Sequence, residues 1–205
     1  MKELPLLYSL LWKLAFIIFK VFFGIKIQGR ENIPSAGGAI LAPNHLSYLD
    51  SIVIGLVTTR KINFVAKEEL FKSFPFSLLI SNLGAFPLKK KGFDRSSFKR
   101  ALHILKEGKL LVIFPEGRRR ERRGKIDSLQ KGAARIALKA GVPLVPIAIQ
   151  GTDKALPKKR KIARIAKISV IIGKSLPTKK LFYTKDNIDK IHNRLIKSIN
   201  ELLGY

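Results

Sequence analysis

Residues 38–50 read GAILAPNHLSYLD: a short apolar run with strand character, 38–43, passes directly into Asn44 and His45. Two more runs end the same way. INFVA (62–66) leads into Lys67 and Glu68, and KLLVIF (109–114) leads into Pro115, Glu116 and Gly117. KLLVIF is apolar without alternation, the pattern of a strand buried on both faces of a parallel sheet. In open α/β sheets ligands sit beyond the carboxyl ends of the strands, so three such junctions mark one end of the sheet as the place for a site.

Helical stretches separate the runs. SYLDSIVIGLV (47–57) reads as a helix with Ser47 as N-cap. Residues 95–107 put Phe98, Ala101, Leu102 and Leu105 on one face and stop at Gly108. Residues 128–140 follow Asp127 as cap, with Gln130 three residues on; they turn Leu129, Ala133, Ile136, Ala137 and Ala140 inward and end at Gly141. A closing helix spans 187–203, burying Ile188, Ile191, Leu195, Ile199 and Leu202, and 84–88, 144–149 and 167–172 supply further strands. The expected architecture is α/β. One domain, residues 29–205, carries a mostly parallel central sheet flanked by helices, and residues 1–28 precede it as a membrane-docking amphipathic helical segment.

That N-terminal segment contains PLLYSLLWKLAFIIFKVFFG, residues 5–24, long enough to cross a bilayer. Its polar members, Lys2, Ser9, Lys13, Lys20 and Gly24, fall within a stripe roughly 60° wide on a helix. Two lysines in mid-segment are costly in a lone spanning helix. On a helix lying flat they reach headgroups while Trp12, Phe16, Phe19, Phe22 and Phe23 sink into the acyl boundary. Monotopic attachment is the favoured reading, spanning the second, and a soluble core helix the third.

Composition narrows the partners. There are 40 Lys and Arg against 14 Asp and Glu, a net charge of +26, which self-repulsion sets against folding and which points to anionic partners. Nucleic acid, anionic lipid and acidic carrier proteins all qualify. Absence of cysteine excludes a disulfide framework, a thiolate zinc site and a cysteine nucleophile together. No nucleic-acid motif is present, and the aromatics gather in the N-terminal segment rather than beside the basic runs such as 158–161.

His45 and Asp50 carry the candidate chemistry. A carboxylate that fixes the tautomer of a histidine makes it an effective general base. Five residues apart in a regular helix, the two side chains would point roughly 140° away from each other. They meet only if His45 lies in the loop and Asp50 in the first turn. Ser47-x-x-Asp50 is equally a capping box, in which Asp50 serves only the helix.

NHLSYLD (44–50) resembles the NHx4D block of the glycerophospholipid acyltransferases, FPEGRRR (114–120) their FPEGTR block, and VPLVPIAI (142–149) their proline-containing fourth block. AKEELFK and FPLKKKG between them are also similar to family members. The resemblance runs from about residue 25 to 175 and is nearest to bacterial 1-acylglycerol-3-phosphate acyltransferases. It implies a glycerol-3-phosphate acyltransferase-like fold and transfer of an acyl group from a thioester to the sn-2 hydroxyl of lysophosphatidic acid. His45 would then be the base and Asp50 its orienting partner, with no acyl-enzyme and no cofactor. Glu116, Gly117 and Arg119 match the block that holds the glycerol phosphate. Pro146 would shape a strand end. Arg118 stands where the family usually has threonine, and Lys89 to Lys91 where its second block has arginine, Lys90 aligning best with Arg95 as substitute. Lys67 is a further candidate for phosphate or the thioester oxyanion. The implied partners are acyl-CoA or acyl-carrier-protein, lysophosphatidic acid and an anionic membrane surface, without nucleic acid. The implied location is the cell membrane, peripheral or monotopic, with the site facing the cytoplasm. The alternative readings are an acyltransferase acting on another lysolipid or on glycerol-3-phosphate and, of another class, a non-enzymatic basic protein that binds lipid headgroups or nucleic acid.

Overall fold

Apolar strands that show no polar face must be covered on both sides, and that requirement organises the molecule. The computed structural model describes residues 6–72, 74, 77, 81, 84–88, 95–121, 123–160 and 162–205. In chain order the elements are α1 (Leu6–Phe23), β1 (Lys26–Gln28), β2 (Ala39–Pro43), α2 (Leu49–Gly55), β3 (Ile62–Lys67), β4 (Ala85–Leu88) and α3 (Arg95–Lys106). They continue with β5 (Leu110–Val112), α4 (Gly132–Ala140), β6 (Leu144–Gln150), α5 (Thr152–Ala155), β7 (Ser169–Ile172) and α6 (Lys185–Leu203).

The strands form one seven-stranded sheet in the order β1-β7-β6-β2-β5-β3-β4. Every pairing is parallel except β6 with β7, where Gln150 faces Ser169. The expected mostly parallel sheet is therefore what the chain builds. β2 lies at its centre, and its side chains alternate between two cores. Ile40 and Ala42 join Ala101, Leu105, Ile136, Ile191, Leu195 and Ile199 beneath α3, α4 and α6. Ala39 and Leu41 join Phe19, Val53, Ile54 and Val112 beneath α1 and α2. Each fully buried leucine or isoleucine contributes about 1.5–3 kcal/mol by transfer from water.

Three expectations are corrected. The helix expected at 128 begins only at Gly132. Before it the chain has no regular secondary structure and is held by side-chain and backbone bonds: Asn200 receives the Ile126 N–H at 2.8 Å and donates to its carbonyl at 2.9 Å, and the Gln130 N–H goes to the Pro115 carbonyl at 2.6 Å. Ile126 and Leu129 are buried without needing a helix. Pro146 lies within β6 rather than at its end; pairing with β7 begins one residue later, at Ile147, so its missing N–H breaks no ladder.

The third correction concerns α1. Four of its aromatics face the protein: Phe19 is buried, and Trp12, Phe16 and Phe23 pack on the same core. Trp12 stacks on Phe16 at 5.3 Å and donates its indole N–H to the Gly55 carbonyl at 3.0 Å. What α1 shows to the outside is aliphatic: Leu10, Leu14, Ile17, Ile18 and Val21, with Phe22 the one aromatic among them. Among the described residues no helix is long and apolar enough to cross a membrane. Lys2 lies outside the described residues, and β1, within the first 28 residues, is an edge strand of the sheet.

Candidate active site

β2 and β5 are neighbours and parallel, so their carboxyl ends open side by side and bring residues 44–50 against residues 114–120. Asn44 fixes the first of these loops. Buried, it donates to the Ile149 carbonyl at 2.9 Å and accepts the Ile149 N–H at 2.6 Å, which ties the end of β2 to the end of β6.

His45 follows, before the helix. Helix α2 begins at Leu49, later than expected, with Tyr48 in the cap position. The Ser47 hydroxyl accepts the Leu49 N–H at 3.2 Å and donates to the Leu156 carbonyl at 2.8 Å, so it serves the turn without being the formal cap. The bend lets Asp50 reach back. Its Oδ2 lies 2.9 Å from His45 Nδ1 and accepts the N–H groups of Leu46 and Ser47, each at 2.7 Å. Both readings of this spacing therefore hold in one carboxylate: it closes the turn as a capping-box acid does, and it holds the histidine. Asp50 is fully buried and the His45 side chain is 15% exposed. With Nδ1 turned to Asp50, Nε2 is the nitrogen left for a reactant. The ring stacks on Phe114, centroids 4.0 Å apart.

Glu116 meets the same histidine from the other loop. Its Oε1 accepts the His45 backbone N–H at 2.8 Å, and the His45 carbonyl accepts the Arg120 N–H at 2.8 Å. Arg120 Nε lies 3.6 Å from Glu116 Oε2, and the Glu116 side chain is only 4% exposed. Burial raises the Glu116 carboxyl to about 7, with Asp50 adding to the rise, while the His45 N–H and Arg120 oppose it. This buried carboxyl group braces the His45 backbone. Arg120 spends its guanidinium on the Gly124 and Lys125 carbonyls, and Arg123 pairs with Asp153. Both guanidinium groups are therefore held by protein partners.

Arg119 is different. Its guanidinium lies 3.4 Å from the centroid of the Tyr48 ring, over the exposed residue between His45 and Asp50. A guanidinium seated over an aromatic face keeps its fork of N–H donors, which suits bidentate contact with an anion. Gly117 sits at φ +68°, where side chains are strained, and a Cβ there would press on the Gln130 side chain at 3.3 Å. Lys67 ends β3 at the same edge of the sheet. Lys90 lies outside the described residues, as do its neighbours Lys89 and Lys91; Arg95, its alternative, opens α3.

Of the other histidines, His103 is exposed on α3 at 3.5 Å from Glu107, and His192 is buried in α6, where burial and Lys131 lower its pKa. Neither approaches a described site residue by hydrogen bond or ion pair. Sequence reasoning passed over Asn44, Tyr48 and Arg120. Asn44 carried a signal as the first residue of the NHx4D-like block, and Tyr48 as the one aromatic inside the His45–Asp50 interval.

Both the sequence and the fold have counterparts among known proteins. A family model described as Acyltransferase matches residues 24–150, which contain both loops. A 1-acyl-sn-glycerol-3-phosphate acyltransferase of Bacillus subtilis is 31% identical over 161 residues, 78% of this chain and 77% of that protein. The chloroplastic LPAT1 of Arabidopsis thaliana is 36% identical over 151 residues, 72% of this chain but only 41% of the longer plant protein. The crystal structure of the 1-acyl-sn-glycerophosphate (LPA) acyltransferase from Thermotoga maritima superposes with a TM-score of 0.78 at 29% identity, covering 96% of this chain and 79% of that one. With a family model across more than half its length and a relative above 30% identity along most of both sequences, this chain belongs to the acyltransferase family of enzymes.

Proposed function

We propose that this acyltransferase moves a fatty acyl group from an acyl thioester to the sn-2 hydroxyl of lysophosphatidic acid, forming phosphatidic acid. The observation that carries the reading is the His45–Asp50 pair at 2.9 Å, in a chain whose relatives are named for that acceptor. His45 Nε2 takes the hydroxyl proton as the oxygen attacks the thioester carbonyl. The C–O bond forms, the C–S bond breaks, and the thiolate leaves with the proton that His45 held. Buried Asp50 stabilises the imidazolium in between. Attack is direct, which suits a chain without cysteine. Arg119, with Gly117 opening the backbone beside it, takes the acceptor phosphate; Lys67, at the end of β3, and Lys90 add further charge. The donor is acyl-CoA or acyl-carrier-protein, and no further cofactor takes part.

The enzyme works at an anionic bilayer surface on the cytoplasmic side, docked by α1. Its exposed Leu10, Leu14, Ile17, Ile18 and Val21 support this, with exposed Lys13 and Lys20 to meet headgroups. The test is transfer of labelled acyl groups in detergent micelles, with acyl-CoA and acyl-carrier-protein as separate donors. Lysophosphatidic acid and glycerol-3-phosphate compete as acceptors, and the product is cleaved with phospholipase A2. Label released from the sn-2 position of phosphatidic acid is the expected result. Label that enters only glycerol-3-phosphate would replace the acceptor.

A further inference from the structure

Residues 154–167 read KALPKKRKIARIAK, with seven Lys or Arg and no acid. Within this run Ile162 is 81% exposed and Ile165 is 80% exposed. A single exposed isoleucine is ordinary. Two of them, three residues apart and flanked by exposed Lys158, Lys159, Arg160, Arg164 and Lys167, make a combined apolar and cationic patch.

The segment is anchored at both ends. At its start the Leu156 carbonyl accepts the Ser47 hydroxyl at 2.8 Å, directly from the turn that carries His45 and Asp50. Arg164 folds back, its N–H on the Ala155 carbonyl at 2.8 Å and its Nε on the Lys154 carbonyl at 2.7 Å. Gly151, at φ +92°, lets Lys167 close the loop, since a Cβ there would run into the Lys167 carbonyl. At its end Ile168 donates to the Phe23 carbonyl and accepts from Lys26, both at 3.0 Å. The segment thus runs from the active-site turn to the last residue of α1, whose exposed Val21 and Phe22 lie within two residues of that junction.

We propose that residues 157–167 are a second membrane contact, with the cations against anionic headgroups and Ile162 and Ile165 in the acyl boundary. This rests on the docking of α1 proposed above and adds to it a contact beside the site itself. An anionic bilayer fits better than a soluble acidic protein, because charge alone would serve the latter. Here two exposed isoleucines accompany the charge, in a segment whose far end is bonded to the last residue of α1.

The chain has no cysteine, so a single one can be labelled cleanly. Full-length Ile165→Cys and Val21→Cys, each carrying an environment-sensitive fluorophore, are mixed with phosphatidylcholine vesicles with and without phosphatidylglycerol. Both probes are expected to blue-shift on the anionic vesicles, and Ile162→Asp with Ile165→Asp is expected to weaken vesicle binding by about tenfold. If the Val21 probe enters the lipid while the Ile165 probe stays in water, this inference fails and the α1 reading stands. If neither enters, both fail. An Ile165 probe that responds to acyl-carrier-protein but not to vesicles would assign the segment to a protein partner instead.

Discussion

Glu116 holds His45 by its backbone: the carboxylate Oε1 accepts the His45 N–H at 2.8 Å while Arg120, beside Glu116, donates its own N–H to the His45 carbonyl. The histidine is thus fixed at both peptide groups by the loop of Glu116 and Arg120, and at Nδ1 by Asp50 in the first turn of α2. A general base must sit within hydrogen-bond reach of the proton it takes, so rigidity here is directly useful.

Glu116 makes stability depend on pH. Burial raises its pKa to about 7, above the unfolded value near 4.5, so the native state holds this proton more tightly than the unfolded chain does. That contribution is complete below the unfolded value and is lost as pH rises through 7. Between pH 5 and 8 the wild type should lose on the order of 2–3 kcal/mol relative to Glu116→Gln, read from urea midpoints at each pH. Parallel curves for the two proteins would mean that Glu116 is not buried as described.

The same residue separates positioning from substrate binding. Glu116→Gln keeps an oxygen for the His45 N–H and should retain most of kcat. Glu116→Ala should lower kcat about tenfold or more with little change in the acceptor KM. A raised KM with kcat intact would instead return Glu116 to the phosphate.

Arg119 gives the opposite pattern. Lysine in its place keeps the charge but loses the fork and the flat contact with Tyr48, so Arg119→Lys should raise the acceptor KM about tenfold with a smaller effect on kcat. Unchanged kinetics would leave the phosphate to other cations.

The two faces of α1 can be told apart by substitution. Phe19, 6% exposed and 4.9 Å from the Phe23 ring, belongs to the core, and Phe19→Ala should cost about 3 kcal/mol or more in denaturation. Val21→Glu, at a position 71% exposed, should leave stability unchanged and weaken vesicle flotation. Reversal of these effects would invert the helix.

The sheet was legible because its strands carry their own instructions: KLLVIF admits no solvent face, and Gly108 and Gly141 end their helices where the pattern stops. The His45–Asp50 contact was legible only as a condition, since five residues of spacing permit it solely across a helix start. Contacts that depend on three dimensions were hidden. Nothing in the spacing of Asn44 and Ile149, or of Asn200 and Ile126, announces that an amide will replace strand or helix bonds between them. Arg119 was set apart from Arg120 only by its place in the FPEGTR-like block, and the arginine run itself gives no sign that one faces the Tyr48 ring while the other is spent on carbonyls. The aromatic stripe of α1 was misassigned because a membrane and a protein core select the same side chains.

The proton transfer at His45 is best tested by single-turnover acyl transfer to lysophosphatidic acid, comparing the wild type with His45→Ala and Asp50→Asn at equal folded concentration. His45→Ala should lose about a hundredfold or more in rate while keeping its urea midpoint and vesicle binding. Asp50→Asn should lose rate and also stability, because its carboxylate closes the turn. A His45→Ala enzyme that turns over at the wild-type rate would remove His45 as the base.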